Sequence, residues 1–164
     1  MSESGTFYPV VSGDDGLVDA DSAGFYPSTN GLVIGYKQHS FVRFVSVTIP
    51  QGATISAAFI RFTGQGGNSN VTVNTNIYFN DSDDAVAPTD KTEFNALVDT
   101  TAFTAWDSVS AWLDDAVVDT PSLVDEVQEV VDRGGWTSGN AMMVVIYDDG
   151  STALAVRYPS AIDY

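Results

Sequence analysis

His39 is the single histidine of this 164-residue chain and the natural first candidate for proton transfer near neutral pH. It lies in Tyr36-Lys-Gln-His-Ser40, a polar stretch that reads as a turn between strands. No Gly-x-Ser-x-Gly elbow and no Gly-x-x-x-x-Gly-Lys loop accompanies it. Gly64-Gln-Gly-Gly lacks a lysine and a following helix, so it does not cradle phosphate. Carboxylates are abundant instead: 22 acidic residues, 18 of them Asp, stand against 6 basic ones, a formal net charge of -16. With so many, some pair falls at any separation that glycoside hydrolysis requires, and pairing carries no catalytic signal. The expectation is a protein that is not an enzyme.

The aspartates cluster. They occur at Asp14, Asp15, Asp19 and Asp21, at Asp81, Asp83, Asp84 and Asp90, at Asp114, Asp115 and Asp119, and at Asp148-Asp149. Short carboxylates in loops are the hard oxygen donors that calcium takes. The expected cofactor is one structural Ca²⁺, at Asp14 and Asp15 or at Asp81, Asp83 and Asp84. The second cluster is not an EF-hand, because its sixth position is Val86 and its twelfth is Thr92. The competing reading is a solvated acidic surface that keeps the protein soluble. Aromatic residues form the third set. Trp136 follows a helix stop and precedes an apolar strand, which assigns it to the core, whereas Tyr26, Trp106 and Trp112 sit in loop-like stretches and are the candidate sugar contacts.

Composition narrows the classes. The chain has no cysteine, which excludes disulfides, thiolate metal sites and a Cys nucleophile. Its acidity repels phosphates and anionic headgroups, so neither nucleic acid nor a membrane surface is an expected partner. Hydrophobic residues at 44% against charged ones at 17% provide enough apolar surface to order the chain. No run of 18 apolar residues exists, and the segment from Met1 to Phe7 lacks the basic and apolar regions of a secretory signal.

The elements that must position these residues follow a period of two. Val71, Val73, Thr75, Ile77 and Phe79 alternate with polar partners, the pattern of a half-buried strand. Phe41 to Ile49 reads as another strand, with a parity shift between Phe44 and Val45 that implies a bulge. Pro50-Gln51-Gly52 turns the chain into a third strand from Thr54 to Thr63. Ala141 to Tyr147 is apolar on both faces, as in a central strand, and Asp149-Gly150 predicts a tight hairpin into Thr152 to Tyr158. Weaker strands are expected at Thr6 to Val11 and Leu32 to Tyr36. One segment breaks the period: Thr120 as N-cap and Pro121 at the first position open an amphipathic helix over about 121–133. It places Leu123, Val124, Val127, Val130 and Val131 opposite Asp125, Glu126, Gln128, Glu129 and Asp132, and Gly134-Gly135 stops it. Seven or so strands and one helix predict an antiparallel β-sandwich forming a single domain over 1–164, with a short N-terminal arm at 1–7.

Two stretches carry a resemblance. Phe44-Val-Ser-Val-Thr-Ile-Pro-Gln-Gly-Ala-Thr-Ile-Ser-Ala-Ala-Phe-Ile-Arg-Phe62 and Val127-Gln-Glu-Val-Val-Asp-Arg-Gly-Gly-Trp-Thr-Ser-Gly-Asn-Ala-Met142 resemble segments of a jelly-roll module family. That family is similar to the carbohydrate-binding modules of bacterial surface and secreted proteins. Trp106 and Trp112 fall where it carries a tryptophan-bearing loop, and Asp14-Asp15-Gly16 resembles its acidic opening. The resemblance runs from about Asp14 onward and implies a jelly-roll sandwich that binds carbohydrate.

Two functions are therefore expected. The first is a non-catalytic accessory virion protein of a bacteriophage, a capsid decoration or a fibre or tail component, made in the host cytoplasm and carried on the virion. Other virion proteins are then its partners, and a homo-oligomer is compatible with that role. The alternative is an extracellular carbohydrate-binding module of a secreted polysaccharide-active or cell-surface protein, with a glycan as partner.

Overall fold

The computed structural model describes residues 5–27, 31–65 and 71–160. Within them the chain is mainly β, with antiparallel pairing throughout. The order is β1 (Asp15–Asp19), β2 (Phe25–Pro27), β3 (Ile34–Gly35), β4 (Gln38–Phe44), β5 (Arg61–Gln65), β6 (Thr75–Phe79), α1 (Lys91–Asn95), β7 (Thr104–Trp106), β8 (Asp114–Asp119), α2 (Val124–Val131), β9 (Met142–Asp148) and β10 (Val156–Arg157). The larger sheet runs β10-β3-β4-β9-β6-β7, with β1 joined to β4 and β2 to β1. The smaller one pairs β5 with β8.

The apolar run from Ala141 becomes the central strand that its two-sided hydrophobicity requires. β9 lies between β4 and β6, and Met142 to Ile146 are all buried. Alternation along it divides the interior in two. Met142, Val144 and Ile146 face a core shared with Val42, Ile77, Phe62, Trp112, Val127 and Trp136. Met143 and Val145 face a smaller cluster on the opposite side, closed by Val18, Phe41, Ala85 and Phe94. The larger sheet is thus covered on both faces.

Helix α1, not anticipated from sequence, brings Phe94 to that smaller cluster. It depends on caps: the Glu93 amide donates to Asp90 Oδ1 at 2.8 Å, while Glu93 Oε2 accepts from the Thr89 amide and hydroxyl. Asp90→Ala is expected to remove about 1 kcal/mol of stability, measured as a lower urea midpoint at unchanged slope.

Several expectations need correction. The second helix begins at Val124 rather than at 121, because Thr120 does not cap it. The Thr120 hydroxyl instead accepts from the Ile60 amide and donates to the Pro121 carbonyl, tying two segments together. Asp125 and Asp132 are exposed, but the two glutamates of α2 are not part of a free solvated face. Glu126 is buried and its Oε1 accepts from the Thr104 hydroxyl at 2.6 Å, while Glu129 accepts the amides of Thr101 and Ala102. Gln128 accepts from the Ile55 amide and donates to the Ala53 carbonyl, so the polar side of α2 fastens the loops around it.

Thr6 to Val11 is irregular rather than a strand, and only the end of the Thr54–Thr63 run pairs, as β5. The parity shift near Phe44 marks the end of β4 instead of a bulge, with Ser46 at positive φ two residues later. The turn at Gly150 forms, but β10 pairs with β3 and not with β9, and Leu154, expected on a shared face, is exposed. Trp106, read as part of a loop-like stretch, ends a short strand at 104–106, and the aspartate cluster at 114–119 lies on another. Residues 1–4 of the arm and most of the Gly-rich loop, 66–70, lie outside the described residues.

Candidate functional site

The aspartates expected to bind calcium are engaged with protein partners. Asp14 is buried in a corner where Oδ2 accepts the amides of Val10 and Val11 and Oδ1 meets the Arg43 guanidinium at 2.8 Å. Burial alone would raise its pKa, but the two amides and Arg43 outweigh it and hold the carboxyl below its ordinary value. Arg43 also donates to the Ala85 carbonyl, tying the chain's opening to the 81–87 loop. Asp15 is buried beside it at the start of β1.

In the second cluster a guanidinium stands where a cation would. Arg133 bonds Asp83 at 2.7 Å and contacts Asp81, and Asp84 accepts the Ala141 amide at 2.8 Å. Gly135 leaves room for this pairing: a Cβ there would lie 2.0 Å from Asp83 Oδ2 and push the carboxylate aside. Among the described residues, no three His, Cys, Asp or Glu side chains converge as a metal's ligands would.

The tryptophans divide differently from their neighbouring sequence. Trp136 lies in the main core as expected, donating Nε1–H to the Ile49 carbonyl at 2.9 Å. Trp112 is also in that core, 2% exposed and stacked 6.0 Å from Phe62, so it offers no face to a sugar. Trp106, half-buried at the end of β7, leans against Trp112 with ring centroids 6.0 Å apart. Tyr26 alone of the three candidate sugar contacts is exposed, on β2 rather than in a loop.

The structure gathers a different group on the outer face of the larger sheet. His39 sits in β4 rather than in a turn, opposite Val18 of β1 and one residue before the Ser40–Phe44 ladder to β9. Its Nδ1 accepts the Asp148 amide at 3.2 Å, and its ring lies edge-on to Tyr147 with centroids 5.0 Å apart. Burial pushes its pKa down against the pull of Asp148, so it is neutral at pH 7. Tyr147 on β9 meets Tyr78 on β6 at 5.8 Å and 68°, and Phe103 stacks on Tyr78 at 5.1 Å and 19°. Asp99 lies among them, with Oδ1 accepting the Tyr147 hydroxyl at 3.3 Å. The sequence signal for this group was faint: alternation put Tyr78 on the polar side of its strand, and only cross-strand register brings Tyr147 beside it.

The electrostatics of this face are distinctive. Burial raises the Asp99 pKa, with the Tyr147 hydroxyl opposing it. Burial also raises both tyrosines, and Asp99 adds to each. The sign follows by linkage. An acid whose folded pKa lies above its unfolded value weakens folding as pH rises past the unfolded value. Asp99→Asn keeps the acceptor and removes the charge, so it is expected to raise the melting midpoint at pH 7. That advantage disappears below about pH 4, where the wild-type carboxyl is protonated in both states; paired melts at the two pH values check it. Compared with known proteins, the sequence matches no protein-family model and no curated protein.

Proposed function

We propose that this chain is a non-catalytic structural and binding module, an accessory virion protein that decorates a bacteriophage capsid or forms part of its fibre or tail. The observation that carries the reading is the segment before β1. Tyr8, Val10 and Val11 are 68%, 62% and 57% exposed, yet Asp14 holds the Val10 and Val11 amides and Phe7 packs against the main core. Apolar side chains held out from an anchored segment lose water only when another surface covers them, which is the form of an assembly contact. The carbohydrate-binding alternative is weakened by the burial of Trp112 and the packing of Trp106, which leave Tyr26 as the one exposed residue of its three candidate contacts.

The architecture we propose with it is a jelly-roll-like sandwich. Supporting this, the isolated bridges Gly64↔Pro159 and Gly31↔Ser160 extend the β10 and β3 pairing toward β5. Ile60, just before β5, and Phe62 within it share one core with Ile34, Val42, Ile77 and Val144 of the larger sheet.

The test is co-sedimentation with purified capsids and tails. The wild-type chain is expected to pellet with one of them, and a Tyr8→Ser, Val10→Ser, Val11→Ser variant to remain in the supernatant with its melting midpoint preserved. A chain that never pellets with either assembly overturns the reading.

A further inference from the structure

The outer-face group around Asp99 combines three properties that together define a ligand. Two of its rings, Tyr78 and Tyr147, meet at 68°, and Phe103, 51% exposed, extends the Tyr78 wall toward solvent. A carboxylate lies in the same corner: Asp99 uses Oδ1 for the Tyr147 hydroxyl, while Oδ2 accepts no hydrogen bond among the described residues. The neighbourhood is short of positive charge. Lys91 is committed to the carbonyls of Asp19, Ala20 and Ser22, His39 is neutral, and Asp148 and Asp149 add negative charge nearby.

Aromatic faces beside an acceptor-only carboxylate attract a cation, since the ring quadrupole and the carboxylate act with the same sign. A planar guanidinium suits the arrangement better than an ammonium. Its flat face suits stacking on an aromatic ring, its several N–H groups suit a carboxylate, and it sheds water more easily. The net charge of -16 adds long-range attraction for a basic surface. A neutral sugar could also lie on these rings and donate a hydroxyl to Asp99, but it would gain nothing from the surrounding negative charge, which favours a cation.

We propose that the corner formed by Tyr78, Phe103 and Tyr147 around Asp99 docks an arginine side chain of a partner protein. The inference rests on the reading that this chain works by binding another protein, but its test does not require the virion. The probe is the peptide acetyl-Gly-Arg-Gly-amide, with the citrulline peptide as its neutral isostere, titrated into the full chain and followed by NMR of the aromatic rings.

The arginine peptide is expected to shift the Tyr78, Phe103 and Tyr147 resonances saturably, and the citrulline peptide to bind about tenfold more weakly or less. Asp99→Asn and Phe103→Ala are each expected to weaken arginine binding by about fivefold or more. The former variant is expected to be at least as stable as the wild type at pH 7, and its melt at that pH separates lost binding from lost fold. Raising salt from about 50 to about 500 mM should weaken binding further. Equal binding of the two peptides, or arginine shifts confined to the aspartate loops, overturns the proposal. So does a methyl glycoside that moves these rings when the arginine peptide does not, which would restore the carbohydrate reading. If the peptide binds as expected while the chain never pellets with particles, the virion reading fails and the arginine site stands.

Discussion

Trp136→Ala is expected to destabilise the protein by about 3–5 kcal/mol, enough to unfold a domain of ordinary marginal stability or to leave little in reserve. The ring is 2% exposed and belongs to the core that α2, β9 and the 47–62 segment share. It follows the helix directly, with its own amide donating to the Arg133 carbonyl, and its Nε1–H bonds the Ile49 carbonyl. Trp136→Phe separates the two contributions: it keeps most of the apolar area and deletes the donor, so its cost should be smaller, about 1–3 kcal/mol. Urea unfolding followed by far-ultraviolet circular dichroism measures both. A loss below about 1 kcal/mol for the alanine variant would show that the ring is peripheral.

Gly35→Ala is the second large effect, and it arises from backbone rather than core. Gly35 has φ +119°, and a Cβ there would lie 2.4 Å from the Ala155 carbonyl oxygen. Two β3 contacts meet at this residue: it pairs with Val156 of β10 on one side and with Gln38 of β4 on the other. A side chain must therefore strain φ and also separate β3 from β10. The expected cost is about 2–4 kcal/mol. Gly52→Ala is the control, with φ +67° and nothing within 4 Å of its Cβ. It should cost only about 1 kcal/mol, the conformational part alone. If both variants lose the same amount, the close approach of β3 to β10 contributes nothing.

Much of the framework was legible because alternation is a local property. The two-sided apolar run at 141–147 could only be a central strand, and the period of 3.6 in 123–131 could only be a helix with one buried side. Trp136 was placed correctly by its position between a helix stop and that strand. Legibility failed where a polar side chain had more than one use. Thr120 looks like an N-cap in sequence but bonds Ile60 instead, and Glu126 looks solvated but lies under Thr104. In both cases a partner more than 15 positions away competes with the local role, and nothing near either residue announces it.

The acidic clusters show the same division. Their composition is plain in the sequence, but whether a carboxylate meets water, a metal or a guanidinium depends on what folds against it. Arg133 reaches Asp81 and Asp83 across about 50 positions, and Arg43 reaches Asp14 across 29.

By itself the sequence determined the β-rich class, one well-defined amphipathic helix, the central strand, and a net charge of -16. These depend on composition and on periods of two and 3.6, which are written in neighbouring residues. Only the tertiary structure decided that Trp112 is core, that His39 and Tyr147 share a face, and that Asp99 lies among rings from three separate segments. Strand register sets those contacts, and a slip of one residue would send every side chain of a strand to the opposite face.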